Sequence, residues 1–184
     1  MNIAITQRDH VIPEMEFSFD TLERSWYYFL KKHTLIPVPN MAHDFDYDNF
    51  KFDCLLITGG PDSINRNLTE NILFAYAVKQ NKPVVGICHG AFAINDLTGG
   101  INGIIENHWK TEHIITMENK RHMVNSYHGQ SINTIGKNME VVAVDEYNNI
   151  EAFKHKYKPI YGIVWHPERM KEPVLPNDVR SILL

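Results

Sequence analysis

Two short stretches far apart in the chain carry the side chains best suited to covalent chemistry. The first, KPVVGICHGAFAIN at residues 82–95, sets Cys88 between Gly86 and Gly90, although the chain has only two cysteines. A sharp strand-to-helix turn strains the backbone at its central residue, and glycines two positions away on either side leave room for it. A thiol on such an elbow stands at a helix N-terminus, where the helix dipole favours the nucleophilic thiolate. The second stretch is YGIVWHPE, residues 161–168. His166 precedes Pro167, which drives its backbone toward an extended conformation, and residues i and i+2 of an extended segment face the same side. Glu168 can then orient the imidazole of His166 and leave its other ring nitrogen for Cys88. This is the nucleophile, base and orienter arrangement of catalytic triads, in the chain order Cys, His, Glu. Either stretch alone has an ordinary reading, a small core cysteine or a loop histidine beside an incidental carboxylate; their combination points to covalent catalysis.

The surrounding elements must bring these stretches together. Residues 2–6, 35–38, 54–58 and 83–87 read as short apolar strands, alternating with helical patterns over residues 19–32, 69–80 and 90–97. Asp20 and Glu23 offer a capping-box-like start to the first helix, and Gly99 and Gly100 suit the end of the third. The alternation predicts an α/β fold with a mostly parallel central sheet and helices on both faces. The segments EHIITM, RHMVNSY, EVVAVD and PIYGIVW are strand-like with little helix between them, so the second half adds antiparallel strands, and a short helix is expected after Pro173. In such a sheet ligands bind at the carboxyl ends of the strands. That edge receives ITQR, TGGPDS, CHG and WHPE.

With 184 residues, the chain is expected to form one domain, 1–184, with a core that needs no disulfide or metal. A net charge of −4 gives no sign of a nucleic-acid surface. Cys54 and Cys88 both lie in apolar surroundings, as in a reduced cytoplasmic protein, and neither a signal peptide nor a membrane span is expected. Among the ten histidines, the pairs His108 with His113 and His122 with His128 lack the cysteine or carboxylate company of a zinc pattern, so no metal and no other cofactor is expected. TGGPDS lacks the Lys-Ser/Thr ending of a phosphate-binding P-loop.

In this order, TGGPDS, GICHG and GIVWHPE resemble the class I glutamine amidotransferases and the γ-glutamyl hydrolases that share their flavodoxin-like fold. The resemblance implies attack of the Cys88 thiolate on a γ-glutamyl carbonyl, a γ-glutamyl thioester, protonation of the departing nitrogen by His166, and release of glutamate by water. It also implies an oxyanion hole from the backbone N–H groups of His89 and of a glycine in TGGP, Gly60, beside Gly59. VNSYHGQSI matches the segment that holds the amino-acid end of the substrate, which assigns Ser126, Tyr127 and His128 to the pocket, through backbone groups as much as side chains. Phe92 stands where the family often has a glutamine that helps to hold the substrate amino acid, so either other groups take over that task or the preferred substrate is not glutamine.

ITQR, the FDTLERSWYYFL segment and NHWKTEH look more loosely like γ-glutamyl-CDP-amidate hydrolases of bacterial surface-polysaccharide loci. That branch implies a small-molecule γ-glutamyl conjugate as partner, and release of cytidine diphosphoramidate for capsule decoration. Arg8 is then a candidate for the anionic part of the substrate, and Trp109, with Lys110 and His108, for a wall against the leaving group. Two other classes stand beside this one. A glutaminase subunit would deliver ammonia to a separate synthetase partner, no such domain being recognisable in the sequence; a non-catalytic relative would use the elbow cysteine as a redox sensor.

Overall fold

The computed structural model describes residues 1–12, 17–47 and 49–184. Strand β1 (Asn2–Thr6) is followed by the antiparallel pair β2 (Arg8–Ile12) and β3 (Phe17–Thr21), helix α1 (Ser25–Phe29), β4 (Thr34–Val38) and β5 (Cys54–Ile57). Helix α2 (Ile64–Lys79), β6 (Val84–Ile87) and α3 (His89–Leu97) come next. The second half contains β7 (Ile101–Ile104), β8 (Trp109–Met117), β9 (Lys120–Tyr127), β10 (Gln130–Thr134), β11 (Met139–Asp145), β12 (Ile150–His155), β13 (Ile160–Ile163) and the short α4 (Asn177–Leu183).

Nine strands form one sheet in the order β4-β1-β5-β6-β13-β12-β11-β8-β9. The first five pair in parallel, and by chain order they run 2-1-3-4-5, the flavodoxin-like arrangement. From β13 onward every pairing is antiparallel. The core strands are apolar because both faces are covered, and their alternation sorts side chains between two layers. Ile3, Ile5, Leu56, Val85 and Ile163 pack with Trp26 and Leu30 from the α1 region and Val179 and Leu183 of α4. Ala4, Leu55, Ile57 and Val84 pack with Leu73, Phe74 and Ala77 of α2 and Ala91 and Ile94 of α3.

The helix expected over residues 19–32 is a strand and a short helix instead. Residues 17–21 pair with β2, Arg8 opposite Thr21, and only Ser25–Phe29 are α-helical. Phe-Ser-Phe-Asp-Thr alternates with period two, and the partner strand satisfies its backbone, so local helical spacing loses. Asp20 caps nothing: its carboxylate accepts from the backbone N–H of Asn40 at 2.9 Å and from the Asn40 amide at 2.6 Å. Helix α2 starts five residues before the expected position 69, at Ile64, where the Ser63 hydroxyl accepts from the Arg66 N–H at 3.1 Å.

Candidate active site

Cys88 sits between the last residue of β6 and the first of α3, with φ 52° and ψ −107°, a strained conformation for a residue with a Cβ. Its N–H donates to the Ile163 carbonyl at 2.8 Å, which ties the elbow to β13. The two glycines make this turn possible. A methyl on Gly86 would run into the backbone of Gly90, and one on Gly90 into the carbonyl of Ile57. The sharp strand-to-helix turn expected from the sequence, with Cys88 at its centre, is therefore present. The other thiol, Cys54, is fully buried, and burial together with Asp53 pushes it up to about 12; Cys88 lines a cavity.

His166 leaves the end of β13's chain and brings its ring to the elbow. A methyl added to Gly59 would lie 3.2 Å from the Cys88 Cβ, 3.3 Å from His166 Nε2 and 2.5 Å from His166 Cε1, so thiol and imidazole meet over a residue that must lack a side chain. The other ring nitrogen, Nδ1, donates to Glu168 Oε1 at 2.7 Å. Glu168 reaches it through a 3-10 turn at Pro167–Arg169 rather than along an extended strand, with His166 itself at φ −110°, ψ 86°. Burial disfavours the charged ring, but hydrogen bonds to Cys88 and Glu168 and the negative charge of both outweigh it and push His166 up to about 9. The arrangement holds an imidazolium against the sulfur at neutral pH.

The N–H of His89, first residue of α3, is one of those with no acceptor inside the helix. Gly60 adopts φ 141°, a conformation only glycine takes readily, and a Cβ there would meet Arg66 and Arg8 at 2.8 Å. The loop carrying Gly59 and Gly60 is fixed from below by Arg66, which is fully buried. It donates to the carbonyls of Thr58 at 2.5 Å and Pro61 at 3.1 Å and to Glu70 at 2.8 Å. Glu70 in turn accepts from Thr6 at 2.8 Å and faces His89 Nε2 at 2.7 Å, while His89 Nδ1 faces Asp62 at 2.8 Å. Burial alone would raise the Glu70 carboxyl, but His89 and Arg66 hold it below its usual range. One buried carboxylate thus connects the loop of Gly60 to the helix end of His89.

These groups open onto a cavity of about 440 Å³, the size of a small-molecule site. Arg8, Gly60, Cys88, His89, Trp109, Tyr127, His128 and His166 all line it, with Phe92. Gly59 lies beneath it, against His166. Tyr127 stands edge-on to the His166 ring at 5.7 Å, and Trp109 edge-on to Tyr127 at 6.4 Å. Trp109 is two-thirds exposed, and a bulge in the β8–β9 pairing at Lys110 (φ 54°) turns it toward the opening.

Three assignments need correction, those of Ser126, Lys110 and His108. Ser126 does not line the cavity: adjacent strand residues face opposite ways, and its buried hydroxyl donates to the His108 carbonyl at 2.7 Å. Neither Lys110 nor His108 forms part of the wall; His108 is buried behind it. Arg8 lines the cavity and donates to the Gly59 carbonyl and to Glu23, both at 3.1 Å. Glu23 also accepts from Arg169 at 3.0 and 2.7 Å. Burial opposes its ionisation, yet hydrogen bonds from Arg169 and Ser25 and both guanidinium charges bring Glu23 down to about 2.

Sequence reasoning missed Arg169, which lines the cavity and lies 4.8 Å over the Tyr127 ring; its place directly after Glu168 is the signal that could have found it. It also missed Asn125, whose amide brackets His166. The side-chain oxygen accepts from the His166 N–H and the side-chain nitrogen donates to the His166 carbonyl, both at 2.8 Å.

The family model for peptidase C26 matches residues 56–168, from within β5 to Glu168. The chain belongs to the peptidase C26 family. With that membership it is a class I glutamine amidotransferase-like hydrolase. It is 28% identical to a γ-glutamyl-CDP-amidate hydrolase of Campylobacter jejuni over 92% of this chain and 90% of that one. It is 32% identical to a glutamine-hydrolysing GMP synthase subunit of Methanosphaera stadtmanae, over 83% of both chains. A glutamine amidotransferase structure from Thermotoga maritima shares the fold with TM-score 0.68 and 14% identity, over 91% of this chain and 76% of that one. No helix among the described residues is long and apolar enough to cross a membrane.

Proposed function

We propose that the protein hydrolyses a γ-glutamyl amide through a thioester on Cys88, and that its substrate is γ-glutamyl-CDP-amidate. The observation that carries this reading is the His166 imidazole held between Cys88 and Glu168 at the floor of the cavity. The sulfur attacks the γ-carbonyl, and the oxyanion that develops is met by the N–H groups of His89 and Gly60; losing one such donor costs about 10²–10³ in rate in comparable sites. As the C–N bond breaks, His166 passes its proton to the nitrogen, which leaves as cytidine diphosphoramidate. The ring then takes a proton from water as water attacks the thioester. Glutamate departs and the thiolate is restored.

For the leaving group, support comes from the cavity's edge. Arg8 and Arg169 supply positive charge for a diphosphate, and exposed Trp109 offers a face on which a base can stack. The Campylobacter jejuni relative, matched over nearly its whole length, supports the same choice. Phe92 in the cavity wall gives no amide to the substrate's amino-acid end, which leaves that task to Tyr127 and to the backbone of residues 127–129. Purified protein is expected to release glutamate from γ-glutamyl-CDP-amidate without any partner, and a γ-glutamyl adduct on Cys88 should be trapped by mass spectrometry after rapid acid quench.

The relatives among GMP synthase subunits favour a second reading, a glutaminase that hands ammonia to a separate synthetase. It requires glutamine turnover that is weak alone and rises when the synthetase is added. Glutamate release from glutamine only in that mixture, with no cleavage of the CDP-amidate, would replace the first reading by the second.

A further inference from the structure

Behind the wall of the cavity, five titratable side chains converge from separate segments: His108 before β8, His113 on β8, His128 after β9, Asp145 at the end of β11 and Glu151 on β12. The rings of His108 and His113 lie 4.9 Å apart, and those of His108 and His128 5.1 Å apart. His108 Nδ1 is 2.9 Å from the Glu106 carbonyl and His128 Nδ1 is 2.8 Å from that of Gln130. A carbonyl only accepts, so both Nδ1 atoms carry the proton and each neutral ring keeps its lone pair on Nε2. Those two Nε2 atoms, both ring nitrogens of His113 and Glu151 Oε2 are buried without a hydrogen-bond partner.

The lone pairs face carboxylates. His113 Nε2 is 3.4 Å and His128 Nε2 3.8 Å from Glu151, and His108 Nε2 is 3.5 Å from Asp145. Unpartnered polar atoms at this depth are costly; what satisfies imidazole lone pairs and a carboxylate together is a cation. The ligand atoms of His108, His113 and Glu151 all lie within 4.8 Å of one another, and ligands at about 2.0–2.1 Å from a tetrahedral zinc stand roughly 3.3 Å apart, so small side-chain rotations bring these three to that spacing, with His128 Nε2 at 3.8 Å from Glu151 Oε1 on the same carboxylate. A ligating histidine whose other nitrogen is fixed by a backbone carbonyl is the usual outer-shell arrangement of such sites.

We propose that His108, His113 and Glu151, with His128 as fourth ligand, bind one zinc-class divalent ion in a closed site. Asp145, held by the N–H groups of Tyr147 and Asn149 at 2.8 Å, balances the remaining charge. The ion would fasten the segment before Trp109 and the His128 side of the cavity to β12, a structural task distinct from the thiol chemistry. The spacing of the histidines gave no such signal because the carboxylate comes from a distant strand.

The test is metal content. Chelator-stripped protein is dialysed against micromolar zinc and counted by plasma mass spectrometry, and the cobalt-loaded form is examined by absorption. One ion per chain is expected, with a tetrahedral cobalt spectrum free of thiolate charge-transfer bands. His113→Ala and Glu151→Gln should lose the ion, and Cys88→Ala should keep it. Zinc at about a hundredfold excess over Kd should raise Tm by roughly 5–10 °C. Absence of stoichiometric metal in the wild type, equal binding by both cluster variants, or a thiolate band in the cobalt spectrum would overturn the assignment; the cobalt spectrum is read on wild-type protein and does not depend on the variants folding.

Discussion

Asn125 grips the His166 peptide at both its ends, accepting from the N–H and donating to the carbonyl at 2.8 Å each. No other side chain among the described residues makes this double contact with the proposed base, and it arrives from β9, across the antiparallel half of the sheet. Asn125→Ala removes both bonds, each contributing about 1 kcal/mol, and frees the turn that aims the imidazole. The expected result is a loss of roughly 2 kcal/mol in urea unfolding and a fall of one to two orders of magnitude in kcat with little change in KM, since small misplacements of a catalytic group are that costly.

Gly59 sits where thiol and imidazole meet. Gly59→Ala places a methyl 2.5 Å from His166 Cε1, too close for the ring to stay. Turnover is expected to drop at least a hundredfold while circular dichroism is unchanged. A fully active alanine variant would mean that the ring is not needed in its present position.

The roles proposed for the three central residues predict an order. Cys88→Ala abolishes turnover and keeps the fold, His166→Ala nearly abolishes it, and Glu168→Gln is less severe, because the orienter acts through the ring. Steady-state rates, with the thioester trap on each variant, check the order. Retained hydrolysis in Cys88→Ala would remove the thiol from the mechanism.

His166 carries a pH dependence of defined sign. Its ring is raised from 6.5 to about 9 in the folded state, burial being outweighed by Cys88 and Glu168. Protons are then held more tightly by the native chain, so the stabilisation is complete below pH 6.5 and is lost as pH rises through about 9. Unfolding free energy of the wild type should fall across that window relative to His166→Ala, and kcat should fall on the same limb as the ring loses the proton destined for the leaving nitrogen.

Glu70 serves Thr6, Arg66 and His89 at once. Glu70→Gln leaves the Arg66 guanidinium buried without its countercharge, and breaking a buried pair in this way costs about 3–5 kcal/mol. Denaturant midpoints should record that loss. Because Arg66 also holds the loop of Gly60, the residual folded enzyme should turn over more slowly as well.

The elbow, the loop glycines and the His-Pro-Glu turn were legible because each is a local pattern whose glycines or proline state the backbone conformation directly. The parallel core was legible for a similar reason: apolar runs bounded by turns admit few other layouts. What the sequence concealed depends on partners far along the chain. Residues 17–21 carry helical spacing and strand alternation together, and only pairing with Arg8–Ile12 decides between them. Arg169 meets Glu23 across 146 positions and Asn125 meets His166 across 41. The resemblance of VNSYHGQSI assigns Ser126 to the cavity with its neighbours, whereas strand alternation sends it to the opposite face.

That alternation along β9 has a further result. Asn125 and Tyr127 face the proposed base while Ser126, between them, faces away to the His108 carbonyl. A single ribbon of backbone therefore sets the aim of the imidazole, shapes one side of the substrate chamber and leans on the histidine cluster. Shifting this ribbon by one residue would exchange all three duties together, so descendants of this chain can diversify the rim through loops and bulges such as that at Lys110, but not by sliding the strand itself.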